Sequence, residues 1–225
     1  MCVKEGVQNL IRIIARSIKL VICSIIKIST LHLKKGKNIT RYYMYEHLSK
    51  VLMEASRENS GNSILSISHS QGLAELLSIK NPKITPANFP QYNTLDLPFK
   101  DNEFDWVVSD QVLEHIEGNP QKAIDESCRV LKPGGVAVIT TCFINTIHGC
   151  PKDFWRFTPE ALQLLCKEFT EIIDMGGWGN PYIWLLIWLG MRHFPTPHAK
   201  WHPLHILATI KKRSCPIVTW VVAKK

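Results

Sequence analysis

The chain has 225 residues, 45% of them apolar and 20% charged, which suits one sizeable α/β domain and leaves too little for two full ones. The formal net charge is +8, and nine Lys or Arg face the single acid Glu5 between Met1 and Arg41, so the excess basicity is largely N-terminal. The seven cysteines (Cys2, Cys23, Cys128, Cys142, Cys150, Cys166 and Cys215) include no C-x-x-C pair. That argues against a disulfide frame or a zinc site and for reduced thiols in a cytoplasmic protein; Cys142 and Cys150 are placed to flank a site.

In chain order, the first predicted element is a basic amphipathic helix within an N-terminal arm, residues 1–39. Leu10, Ile11, Ile14, Ile18, Val21, Ile22, Ile25 and Ile26 fall on one helical stripe. Arg12, Arg16, Lys19 and Lys27 interrupt every window long enough to span a bilayer, and a secretory signal is also a poor match. Such a stripe packs on the domain or lies on a membrane surface. Packing is the expected arrangement, with peripheral membrane contact as the alternative.

The domain itself is expected over residues 40–225. A helix is predicted over 40–55, with Thr40 as its N-cap. The polar loop "SRENSGN" leads to "SILSIS", the first strand; "QGLAELLSI" reads as a helix, and "NPKITPANFP" surrounds a second strand. "FDWVVSD" is an apolar run suited to a buried parallel strand. In "NPQKAIDESCRVL", Asn119 caps a helix, Pro120 opens it, and Ala123, Ile124, Cys128 and Leu131 share its inner face. "KPGG" is a turn that ends this helix, and "VAVITTCF" is the next strand. Thr158 and Pro159 begin another helix, "TEIIDMGGW" is a strand, and "CPIVTWVVAKK" closes the chain on a β-rich run. Such alternation predicts a doubly wound, Rossmann-like, mostly parallel sheet with helices on both faces and ligands at the carboxyl ends of its strands.

Three stretches, "LDLPFKDNEFDWVVSDQVLEHI", "AIDESCRVLKPGGVAVITTCF" and "HGCPKDFWRFTPEALQLL", occur in order and at characteristic separations. Together they resemble class I S-adenosylmethionine-dependent methyltransferases of the type 11 group, over roughly residues 64–173. The resemblance implies a seven-stranded sheet, S-adenosylmethionine as cofactor, and an acceptor hydroxyl or carboxyl on a small molecule or glycan. It also exposes a departure. The family's first loop carries an acid and then a G-x-G-x-G pattern, which fall here on Ser66 and on Ser68, Ser70 and Gly72; one glycine remains. The ribose-binding and adenine-contacting acids match Asn88 and Asn93, with Asp96 as a substitute for the latter. Asparagine still accepts hydrogen bonds but without the strength a charge adds. Asp110 emerges at the cleft with Gln111, Glu114 and His115. The expected cofactor site is therefore Ser66, Ser68, Ser70, Gly72, Asn88, Asn93, Asp96 and Asp110. A pseudo-methyltransferase that keeps the fold as a binding module is the alternative.

A hydroxyl acceptor needs a general base, and an imidazole titrates in the useful range, so His148 and then His115 are the candidates. Asp153, Trp155 and Arg156 in "KDFWRFTPE" either hold substrate or brace one another. A hydrophobic, lid-like block is expected over about 177–205. It contains His193, His198, His202 and His205, but Pro195, Pro197 and Pro203 break their register, so no metal is expected. Nucleic acid is not an expected partner, because no base-binding element follows "FDWVVSD".

Overall fold

A computed structural model describes the backbone of residues 2–149, 151–212 and 214–225, and the side chains except those of residues 1–12, 15, 150 and 213. Leu10 and Ile11 of the N-terminal stripe, the basic Arg12, and Cys2 and Cys150 thus lie outside the described side chains. The chain divides into two compact units, residues up to Tyr42 with Pro181–Ile210, and Tyr43–Asn180 with Lys211–Lys225. The boundary expected after residue 39 falls after Tyr42, and most of the expected lid block groups with the N-terminal segment. A short antiparallel ladder joins these two stretches of sequence: β1 (Lys35–Asn38) pairs with β7 (Pro195–Pro197).

In the first unit, α1 (Cys2–Ser29) forms the predicted amphipathic helix. Of the described stripe residues, Ile14, Ile18, Val21 and Ile25 are exposed, and Ile22 and Ile26 are half-buried. Among the described residues no helix is long and apolar enough to cross a membrane. α6 (Pro181–Trp188) exposes Tyr182, Leu185 and Trp188, and α7 (Pro203–Thr209) is capped by His202, whose Nδ1 accepts from the Leu204 N–H at 3.2 Å. His202 Nε2 meets Ser29 Oγ at 3.1 Å, while His198 and His205 each face the Tyr42 hydroxyl. Three of the four histidines in this block therefore serve as polar ties within the unit.

The second unit is built on a six-stranded sheet of order β3–β2–β4–β5–β8–β6. Its strands are β2 (Ser63–Ile67), β3 (Lys83–Ala87), β4 (Phe104–Asp110), β5 (Leu131–Cys142), β6 (Glu171–Trp178) and β8 (Val218–Lys224). β3, β2, β4 and β5 run parallel, and β8 is antiparallel to both β5 and β6. Leu65, Ile67, Val107, Ala137, Ile139, Val221 and Ala223 turn to one face, where α4 (Pro120–Val130) supplies Ala123, Ile124 and Cys128 and α5 (Pro159–Leu165) supplies Leu162. The alternate residues Ile64, Trp106, Val108, Val136, Val138, Trp220 and Val222 are buried as well, the signature of a sheet covered on both sides. α2 (Tyr42–Glu58) buries Met44, Leu48 and Leu52 at fourfold spacing.

Local chemistry explains most helix starts. Asn119 Oδ1 accepts from the Gln121 N–H at 3.0 Å and Thr158 Oγ1 from the Ala161 N–H at 3.1 Å, each with proline in the first helical turn. Thr40 departs from expectation. α2 begins at Tyr42, and the Thr40 hydroxyl donates to Asn38 Oδ1, inside the turn closed by Arg41 N–H to Asn38 O. "QGLAELLSI" gives only one helical turn, α3 (Gln71–Ala74). The seventh strand implied by the resemblance is also not part of the sheet. Residues 88–103 run instead as turns, Tyr92 N–H donating to Asn88 O and Asp96 N–H to Asn93 O. Pro90 and Pro98 in that stretch cannot donate to a ladder.

"KPGG" is an excursion inside β5 rather than a connection ahead of it. Phe104 pairs with Leu131 and Trp106 with Val136, so four residues of β5 stand against Asp105 alone. Gly134 has φ of +77°, and a Cβ on Gly135 would lie 2.8 Å from Lys132 O and 3.1 Å from Asp105 O, both backbone atoms. Gly135→Ala should therefore cost about 1–3 kcal/mol by overpacking. A urea melt showing wild-type stability would contradict this close approach.

Candidate active site

The parallel register sets Ile67 of β2 beside Ser109 of β4, and Ser109 and Asp110 beside Ile139 and Thr140 of β5. Three loops therefore leave the sheet at one edge: residues 68–70, 111–119 and 143–158. Most of the sequence-predicted site residues are carried by these loops.

In the first loop the conformational demand for glycine persists without the glycines. Ser68 and His69 adopt φ of 47° and 63°, the left-handed region that costs a side-chain-bearing residue about 1–2 kcal/mol. Ser70 has returned to a negative φ, and Gly72 lies within α3. Of the three positions that match the motif's glycines, Ser68 has the left-handed backbone and shares it with His69. The loop is held by its own polar groups. Ser68 N–H donates to Ala87 O, and His69 N–H to Asn88 Oδ1, both at 2.9 Å. The Ser70 hydroxyl donates to Ile67 O and accepts from the Asp110 N–H. Ser66 is fully buried in β2, and its Oγ has no hydrogen-bond partner.

Asp110 gathers contacts from three elements. Its carboxylate accepts from the Tyr45 hydroxyl of α2 at 2.6 Å and from the Thr140 hydroxyl of β5 at 2.7 Å, while its N–H meets Ser70. Asn93 and Asp96 sit apart in a turn of their own, Asn93 Oδ1 accepting from the Leu95 N–H. Beside Ile67, Ser109 and Leu113 lies a cavity of about 10 Å³, room for about one water, lined also by Thr94 and by Ile124 and Ser127 of α4.

At the acceptor side the structure brings His115 and His148 together, their ring centroids 4.9 Å apart and edge to face. Glu114 lies fully buried between the ends of β4 and β5; Oε2 accepts from the Thr141 hydroxyl at 2.8 Å and Oε1 has no partner. Burial pushes the Glu114 carboxyl above its usual range, and burial beside Glu114 pushes the Cys142 thiol up to about 12. Tyr45 and Thr140 were absent from the expected site, and Glu114 was expected at the cleft without an assigned role. The polar pair Thr140–Thr141 at the end of an apolar strand was the available signal for two of these contacts.

Asp153, Trp155 and Arg156 are engaged with the fold. Arg156 forks onto both Asp153 oxygens, Trp155 Nε1 donates to Ile116 O at 2.9 Å, and Phe154 and Trp155 N–H both donate to Glu114 O. The third loop is thereby clamped onto the second. The Arg156 guanidinium, helped by the His148 N–H, holds the Asp153 carboxyl well below the usual carboxylate range despite its burial.

A family model described as a methyltransferase domain matches residues 47–139. A demethylmenaquinone methyltransferase of Staphylococcus carnosus is 35% identical over 115 residues, 51% of this chain and 47% of that protein. An uncharacterized protein of Methanocaldococcus jannaschii is 39% identical over 89 residues, 38% of this chain and 43% of that one. The chain thus spans under half the length of these curated relatives. Among solved structures, Haemonchus contortus phosphoethanolamine N-methyltransferase 2 with S-adenosyl-L-methionine matches 80% of this chain and 52% of its own at a TM-score of 0.53 and 14% identity. The [4+2]-cyclase SpnF matches 80% and 81% at 0.52 and 18%. Residues 47–139 are a methyltransferase domain of the class I S-adenosylmethionine-dependent kind, and the solved neighbours share its Rossmann-like fold.

Because the Asp153 carboxyl has a depressed value in the folded state, its stabilisation is present above the unfolded carboxylate range, about pH 4, and is lost as pH falls toward the folded value. Asp153→Asn should be less stable by about 2–4 kcal/mol at pH 7, since it leaves the partly buried Arg156 guanidinium with the Trp155 carbonyl but no carboxylate. The gap should shrink on acidification. Denaturant melts at pH 7 and pH 3 with an unchanged gap would refute this assignment.

Proposed function

We propose that the protein is an S-adenosylmethionine-dependent methyltransferase acting on a hydroxyl or carboxyl group of a small molecule or glycan. The observation carrying this reading is the loop at Ser68 and His69, which keeps a glycine-like backbone at the end of the first central strand, tied through Ser70 to Asp110. Nothing in the core of the sheet demands left-handed serine and histidine there. The shared fold alone would not choose the reaction, since a cyclase has it too.

The residues fit the cofactor with fewer charges than the family pattern supplies. Ser66, fully buried at the end of β2, has a hydroxyl without a hydrogen-bond partner. Ser66, Ser68, Ser70, Asn88 and Asp110 would hold it around the first loop, with Asn93 and Asp96 contributing from the turn beyond β3, and Gly72 keeping the start of α3 slim. When bound, the cofactor supplies an electrophilic sulfonium methyl. The chain has to align the acceptor and take its proton. His148, in the loop after β5, supports that reading: its N–H donates to Asp153, its ring nitrogen lies 3.1 Å from the same carboxylate, and His115 stands beside it.

S-adenosylhomocysteine should raise the melting temperature, because a ligand selective for the native state stabilises it. His148→Ala should keep that shift while turnover falls by about 10² to 10⁴. An absent shift at millimolar ligand would favour the binding-module alternative. An unchanged turnover would pass the proton-accepting role to His115.

We also propose that α1 lies against an anionic membrane surface. Ile14, Ile18, Val21 and Ile25 form one exposed stripe, while Arg16, Lys19 and Lys27 are exposed on the remaining face. The protein should sediment with anionic vesicles, less so at high salt, and Ile18→Glu with Ile25→Glu should abolish this without unfolding an already exposed surface. Retention of vesicle binding in that variant would exclude α1 as the contact.

A further inference from the structure

Glu114, His115 and His148 come from two loops, yet one potential donor atom of each lies within 4.8 Å of those of the other two. We propose that this trio binds a divalent first-row transition-metal ion at the acceptor end of the cleft. Two imidazoles and a carboxylate form a facial donor set with room for further ligands. Imidazole donors select such ions over magnesium or calcium.

Each donor is already prepared in the way a ligand is. His115 directs Nδ1 at Lys152 O, 2.5 Å away, which places the proton on Nδ1 and leaves Nε2 with a free lone pair. His148 turns Nδ1 toward two acceptors, Thr146 O and Asp153 Oδ2, both at 3.1 Å; Asn145 Nδ2 at 3.3 Å is the competing donor. The Asp153 carboxylate, itself fixed by Arg156, favours the Nδ1–H form and again frees Nε2. A carbonyl behind one histidine and a carboxylate behind the other are the usual outer partners of metal-bound imidazoles.

Glu114 supplies the independent argument. Its side chain is fully buried, Thr141 takes one oxygen, and Oε1 has no hydrogen-bond partner. A buried carboxyl oxygen without a well-formed hydrogen bond is costly, and a cation would satisfy it. Donors around one ion lie about 3–3.5 Å apart, given bonds of about 2.0–2.2 Å. A shift of the exposed loop carrying His148, with the Nδ1 contacts kept, would close the remaining gap. Resting on the methyltransferase reading, the open positions would take the acceptor oxygen and lower the pKa of its hydroxyl, so that with the ion bound the proton leaves to water and without it His148 takes the proton.

The metal-stripped full-length chain should be titrated with Co²⁺ and followed by its visible absorption. One ion per chain should bind with the spectrum of mixed nitrogen and oxygen ligation. His115→Ala and His148→Ala should each weaken binding at least tenfold, and Asp153→Asn should weaken it less than either. Thermal melts and circular dichroism confirm that the two histidine variants fold; Glu114→Gln is the third variant, judged only if it folds. Co²⁺ binding unaffected by both histidine changes would place the ion elsewhere and overturn the proposal, as would failure to bind. Stabilisation by S-adenosylhomocysteine, measured without metal, is expected in the same variants, so loss of the metal site and loss of the cofactor reading are separate results.

Discussion

A parallel ladder is the constraint from which the rest follows. Strands that run the same way finish at the same edge, and their right-handed crossovers bury both faces of the sheet under helices. In this chain β2, β4 and β5 share one register, so Ser68–Ser70, Asp110–His115 and Phe143–Arg156 are delivered to one place from segments about 40 residues apart. Polar residues in an otherwise apolar core cluster there. Ser66, Ser70, Ser109, Glu114, Thr140 and Thr141 are all buried near the strand ends.

What holds that edge together is a short relay of hydrogen bonds rather than apolar packing. Ser70 reads the end of β2 and the start of the loop after β4, Asp110 joins α2 to β5, and Glu114 presents both its carbonyl and its carboxyl to neighbouring segments. The Asp153–Arg156 pair then fixes the third loop, its carboxylate side chain only 2% exposed. Charge-assisted bonds of this kind are strong where water is excluded, and they order side chains that packing alone would leave free. The loss of acids from the cofactor loop is therefore not a general loss of polarity at the edge. Serines and asparagines have taken over the task of shaping the loop.

The differences between expectation and structure have a common origin. Thr40 has the right chemistry for a cap, but the turn closed by Arg41 N–H on Asn38 O takes it in, and the helix starts two residues later. "KPGG" looks like a helix-ending turn, yet pairing with Phe104 draws Leu131 into the sheet before the glycines are reached. A six-stranded sheet results because the proline-containing stretch after β3 makes turns with itself. In each case a longer-range partner, or a closer local one, overrode a sound local preference.

Periodicity, caps and the three motifs determined the element order of the central domain, the orientation of α4 and α5, and the carboxyl edge as the place for a site. These are local properties, set by residues within a few positions of one another. The sequence also identified His115 and His148 as candidates and the first loop as divergent. Only tertiary structure decided that the left-handed backbone falls on Ser68 and His69, that Tyr45 and Thr140 share Asp110, and that Glu114 joins the two histidines. Those relations depend on strand register and on which loop hydrogen-bonds to which, and no short window of sequence carries that information.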